Sequence, residues 1–301
     1  MASKRRGAGR PDGPPSAEGL QRRRGPATMA AALVLALSLA GTAVASSGGI
    51  SVGEGGGKSD LRLRKVDVAP GTVYFAGKRQ AEFSFELKGA EPADVEVRLY
   101  EVASGTPIRS WRFDALKPAK PQSLIWKGKR ASGELAANGE HEFRVFDSEG
   151  GAVETSSGKR GTKFGYFRHK FPLRGPHTYG DGLGAGRGHR GQDLFANCGR
   201  RVVAARAGRV QWRRSEGRAG HFVVIDGKGT DQDYVYMHLK KKGRPPEGRR
   251  VKTGQRIGFN GRSGNASGCH VHFELWSGPG WFEGGKWMNA TKHLRRWDAW
   301  S

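Results

Sequence analysis

Short runs with period-2 alternation constrain this chain more than any other feature. "AEFSFELKG", "DVEVRLYEV", "PIRSWRFD", "QSLIWKGK" and "HEFRVFDSEGG" each place apolar residues at alternate positions, between turn residues. Strands put every second side chain on one face, and such runs at roughly 10 to 15 residue spacing suggest an antiparallel sandwich. The later runs "RVVAARAGRVQWRR", "HFVVIDGK", "DYVYMHL", "RIGFNG" and "HVHFELW" continue the texture. No helix-length amphipathic pattern competes with them. Only 36% of residues are hydrophobic and 48 are glycine, which argues for β-rich units joined by polar loops over one large core. The expected class is all-β.

The first 45 residues stand apart. "MASKRRGAGRPDGPPSAEGLQRRRGPAT" is basic and rich in Pro and Gly; "MAAALVLALSLAGTAVA" follows without charge and ends in Ala43-Val44-Ala45. A positive segment, an apolar run and a small-x-small site read as a secretory signal peptide over 1–45. Two alternatives stay open: retention as a membrane anchor, and a start at Met29 that would lack the positive segment. The run is short for spanning. Residues 1–28 carry seven basic and two acidic side chains, so their removal lowers the formal charge from +24 to +19. An exported chain so basic is expected to meet anionic cell-wall polymers, with no specific nucleic acid among its partners and the membrane involved only through an uncleaved signal.

"SSGGISVGEGGGKSD" reads as a Gly/Ser linker over 46–60. A β-sandwich over 61–150, a linker over 151–170, a second β unit over 171–290 and a basic tail over 291–301 complete the expected organisation. The segment "LIWKGKRASGELAANGEHEFRV" (124–145) resembles the end of the flagellar hook-cap type of immunoglobulin-like domain. That resemblance implies an Ig-like spacer or binding module without catalytic side chains.

Three motifs in the second unit carry chemistry. "GHRGQDLF" places His189 and Asp193 four apart around Gly191, and imidazole and carboxylate both suit zinc. "DYVYMHLKK" alternates Tyr234, Tyr236 and His238 against Val235, Met237 and Leu239. "GCHVHFELW" puts His270, His272 and Glu274 on one strand face and Val271, Phe273 and Leu275 on the other. A packed histidine pair and a metal site are both consistent with the last motif taken alone.

"HRGQD", "YVYMHL" and "GCHVHFE", in that order, resemble the lysostaphin/LytM-type zinc endopeptidases of bacterial cell walls, over Phe171 to Trp276. The resemblance implies an antiparallel β-sheet peptidase domain, one Zn²⁺ per chain and peptidoglycan as substrate. It implies His189, Asp193 and His272 as metal ligands, with His238 and His270 as catalytic groups. Three protein ligands leave a fourth position open for water, and zinc lowers the pKa of such a water from about 15.7 to roughly 7. Glu274 is a candidate to orient a histidine, and equally a surface carboxylate. His177 is a candidate to line the substrate groove. His221 reads as a turn or surface residue, and His141, His169 and His293 as solvated.

The only cysteines are Cys198 and Cys269. An even pair in an exported protein favours a disulfide. Many members of the resembled family carry proline at the position of Cys269, so the local loop here departs from their pattern. The function implied is a secreted zinc metalloendopeptidase acting on stem peptides or cross-bridges. The alternative is a non-catalytic regulator of the same type that activates other wall hydrolases.

Overall fold

The computed structural model describes residues 58–155, 161–186 and 188–301, which fall in one compact unit. The signal expected over 1–45 and most of the linker expected over 46–60 lie outside the described residues. No helix among the described residues is long and apolar enough to cross a membrane.

The first sheet contains β1 (Lys58–Ala69), β2 (Thr72–Tyr74), β3 (Ala81–Lys88), β4 (Ala93–Glu101) and β5 (Thr106–Leu116). It continues with β6 (Gln122–Trp126), β7 (Gly139–Asp147), β8 (Ala152–Thr155) and β9 (Lys163–Phe167). Their order is β2-β9-β7-β8-β1-β3-β6, with β4 joining β5 to β7. Alternation becomes burial: Phe83, Phe85 and Leu87 of β3 point inward while Glu82 and Lys88 face solvent. Phe83 stacks on Phe143 of β7 at 4.6 Å although β3 and β7 share no ladder, so the sheet folds back on itself around an aromatic core. The linker expected over 151–170 is corrected here. Val153, Phe164 and Tyr166 are buried, and the strands carrying them, β8 and β9, are integral to the sheet.

The second sheet is antiparallel throughout. Its strands are β10 (Thr178–Tyr179), β11 (Gln192–Phe195), β13 (Gly208–Glu216), β14 (Gly220–Gly227), β15 (Asp233–Leu239), β16 (Arg250–Val251), β18 (His270–Trp276) and β19 (Trp287–Met288). β12 (Arg201–Val203) and β17 (Arg256–Phe259) form a separate ladder. The order β10-β11-β18-β15-β14-β13-β16 makes β18 central, and every residue of β18 is buried. Val271, Phe273 and Leu275 join Tyr234, Tyr236, Val223 and Ile225 in the main core beneath it. On the opposite face, Val224, Val235, Trp276 and Trp281 form a smaller apolar cluster beside the histidines.

The basic tail expected over 291–301 is a second correction. Residues Ala290–Asp298 form helix α1, capped by the Asn289 side chain, which accepts from the Thr291 amide. Ala290, Leu294 and Trp297 recur at i, i+4 and i+7 and are buried against the main core. Burial of each large side chain contributes roughly 1.5–3 kcal/mol. Arg295 and Arg296 sit in the last turn, where the helix dipole favours cations. Trp297 stacks on His169 at 4.5 Å, and Trp300 on Phe167 of the first sheet at 4.6 Å.

Candidate metal centre and hydrolytic site

Strand register does most of the assembly. β11 pairs antiparallel with β18 so that Asp193 lies opposite His272 and Phe195 opposite His270. The Asp193 carboxylate meets His272 Nδ1 at 2.8 Å and His189 Nε2 at 3.1 Å. One ligand-type atom from each of His189, Asp193 and His272 lies within 4.8 Å of the others. Gly191 makes this approach possible. A Cβ there would sit 2.4 Å from the Phe273 carbonyl oxygen and 2.8 Å from His272 Nε2, so any side chain would push the ring away.

Each histidine of the site is held from behind. His189 Nδ1–H donates to the Gly182 carbonyl (2.8 Å), His238 Nδ1–H to Ser263 (2.8 Å) and His270 Nδ1–H to Gly268 (2.9 Å). A carbonyl only accepts, so these bonds fix the tautomer and leave Nε2 of all three rings with a lone pair. His272 is turned the other way. Its Nε2 donates to Glu274 (3.0 Å), whose second oxygen accepts from Trp276 Nε1 (2.7 Å), and its Nδ1 faces Asp193.

The charges follow these contacts. Burial would lower the His272 pKa, but hydrogen bonds to Asp193 and Glu274 overcome it and push the ring up to about 9. Burial alone would raise both carboxyls, and the same hydrogen bonds from His272 hold Asp193 and Glu274 below their ordinary values. Two imidazoles and a buried carboxylate drawn together in this way form a pocket suited to a cation. A divalent metal fits the donor set, because Asp193 supplies negative charge, His189 Nε2 offers a lone pair, and His272 Nδ1 offers one when a metal takes the place of its proton. Burial pushes His238 down to about 4, which keeps it neutral near pH 7.

His238 reaches the site by breaking the alternation expected of it. Tyr234 and Tyr236 do not form a polar face; both are fully buried in the main core. Strict alternation would send His238 there too. Instead His238 adopts φ +60, and the β14–β15 register shifts between His221 and Val223. The left-handed residue turns the imidazole to the other face, 4.6 Å from the His270 ring and 6.1 Å from that of His272.

The remaining expectations sort as follows. Cys198 and Cys269 form a disulfide beside the site. His177 lines the adjoining groove, but its Nδ1 bonds the Gly175 carbonyl and its Nε2 lies 3.1 Å from Asp298, so both nitrogens are occupied. His141, expected to be solvated, is 1% exposed in the first core. His169 contacts Tyr234, Arg206 and Trp297, and its burial is why the solvated reading fails. The carbonyls of Gly182, Ser263 and Gly268 were beyond sequence reasoning, because every residue has one. Trp276 could have been found, as the next same-face position after Glu274. Phe195, stacked on His270 at 4.9 Å, lies directly across from it.

Part of the chain is similar in sequence to known proteins. Residues 187–289 match Peptidase family M23. The peptidoglycan DD-endopeptidase ShyA of Vibrio cholerae is 37% identical over 87 residues, 29% of this chain and 20% of that protein. The glycyl-glycine endopeptidase ALE-1 of Staphylococcus capitis is 32% identical over 115 residues, 37% of this chain and 28% of that protein. The catalytic domain of lysostaphin from Staphylococcus simulans superposes with a TM-score of 0.36 at 26% identity, covering 40% of this chain and 92% of that one. The chain thus spans well under half the length of these curated relatives.

Proposed function

We propose that this chain is a zinc-dependent endopeptidase hydrolysing peptide bonds in the stem peptides or cross-bridges of peptidoglycan. One observation carries the reading: His189 Nε2, Asp193 Oδ1 and His272 Nδ1 converge, with two further imidazoles beside them. His189, Asp193 and His272 would hold the metal, and three protein ligands are the pattern of a catalytic zinc site with an open position. When bound, zinc supplies Lewis acidity, polarising a carbonyl and making water acidic enough to lose a proton near neutral pH.

The chain's own residues then divide the remaining work. His238 and His270 present Nε2 lone pairs, because their Nδ1–H groups are tied to carbonyls. One can take a proton from water and return it to the leaving amine, while the other, with its Nε2 lone pair, can orient that water by accepting a hydrogen bond from it. Glu274 orients His272 and makes it a better donor to a cation. The substrate class is supported by what two relatives are named for, peptidoglycan DD-endopeptidase and glycyl-glycine endopeptidase activity. The proposal includes export directed by residues 1–45, a hook-cap type Ig-like spacer built on the first sheet and extending through β9, and electrostatic retention of the basic chain on anionic wall polymers.

The test is digestion of purified sacculi and defined muropeptides, with and without a chelator, products being identified by mass spectrometry. Soluble peptides that vanish on chelation and return with zinc are the expected result. A protein that purifies without metal and releases nothing would be a regulator, not a hydrolase.

A further inference from the structure

A groove of about 900 Å³ opens beside His270, and its charge is one-sided. Its walls include Phe195, Asn197, the Cys198–Cys269 disulfide, Lys240 and Arg262, and among the described residues no Asp or Glu lines it. Lys240 and Arg262 are exposed, and neither is paired with a carboxylate among the described residues. This contrasts with Arg64, Arg98, Arg130 and Arg144 of the first sheet, each of which meets a glutamate.

The two cations are also tied to the catalytic strands. Lys240 follows His238 by two residues, so their Cα atoms lie at most about 7 Å apart. Arg262 follows Gly261, whose carbonyl accepts from the His270 amide at 3.0 Å. The two backbones touch: a Cβ on Gly261 would lie 2.5 Å from Lys240 Cα. Lys240 and Arg262 are therefore neighbours, set at a fixed offset from the histidines and facing the same groove.

Resting on the peptidase reading above, we propose that Lys240 and Arg262 form a carboxylate-binding subsite, so that the preferred substrate is a peptide with a free carboxylate within about two residues of the scissile bond. Guanidinium and ammonium groups bind carboxylates through charge-assisted hydrogen bonds, and a groove wall without acids gives the substrate carboxylate no internal competitor. Neutral oligoglycine bridges lack that group at internal positions and lose the interaction.

The experiment uses the full chain and two cross-linked peptides identical except that the carboxylate next to the scissile bond is amidated in one. The wild-type protein should show a kcat/KM ratio of about tenfold in favour of the free acid, falling as salt screens the groove. Arg262→Gln and Lys240→Gln should each lower the ratio and the double variant bring it near one, while Arg262→Lys keeps most of it. Calorimetric binding of the same pair reads the preference without turnover. Equal handling of the two peptides by the wild-type protein, or a ratio the double variant does not move, overturns the subsite. Absence of hydrolysis with the binding preference intact overturns the peptidase reading and leaves the subsite standing.

Discussion

Both sheets bury histidines, and the difference between them separates packing from chemistry. His141 of the first sheet is 1% exposed, lies 5.2 Å from Trp126 ring to ring, and bonds the Gly139 carbonyl through Nδ1. Among the described residues its Nε2 has no hydrogen-bond partner, and the Glu101 carboxylate, 4.0 Å away, is engaged with Arg130 and the Ala137 amide. His189, just before β11, and His238, His270 and His272 of the second sheet are anchored at one nitrogen as well, but the other nitrogens of His189, His270 and His272 lie 3.1, 3.7 and 2.8 Å from Asp193 Oδ1, and the His238 ring packs 4.6 Å from that of His270. Burial is common to both places. Convergence belongs to one.

Removing a ligand should break the comparison most completely. His189→Ala is expected to lose both bound zinc, read by elemental analysis, and peptide release. His270→Ala should keep the metal and lower turnover by roughly 10²–10⁴-fold; loss of zinc in that variant would show that the roles of His270 and a ligand have been exchanged. Glu274→Gln should weaken zinc binding about 10- to 100-fold, measured by competition with a chelating dye. His141→Phe should leave zinc content and hydrolysis unchanged and alter unfolding free energy by no more than about 1.5 kcal/mol.

A last and smaller effect concerns pH. Burial, then Arg206, push His169 down to about 3, and burial lowers His141 as well. For a base depressed by folding, the unfolded chain binds the proton first. Stability is therefore lost as pH falls through the ordinary histidine range, and for His169 the loss continues towards about pH 3. His272, raised by its carboxylate partners, acts in the opposite sense over the same range, so the His169 share is read as the difference between wild type and His169→Phe in urea midpoints at pH 7.5 and 5.5, the variant losing less on acidification.

Much of this was legible beforehand. Alternation in "HVHFELW" placed His270, His272 and Glu274 on one face, and the strand does carry them so. The same rule misplaced His238, because the residue that matters there has a positive φ, and period-2 reasoning assumes an unbroken pleat. Helix α1 was hidden for a related reason. Its apolar positions are three among nine residues, and the flanking Lys and Arg made the segment read as a solvated tail. β8 and β9 are too short to announce themselves without the strands they pair with.

The sequence by itself determined the β-rich class and the order of the three histidine motifs, because side-chain alternation and residue chemistry are local properties. It also determined the excess of cations. Only the tertiary structure decided that β11 lies beside β18, that a left-handed residue swings His238 across the sheet, and that carbonyls 2, 7 and 25 residues away fix the tautomers of three rings. Those outcomes depend on long-range register and on backbone acceptors common to every residue, which no reading of side-chain types can rank.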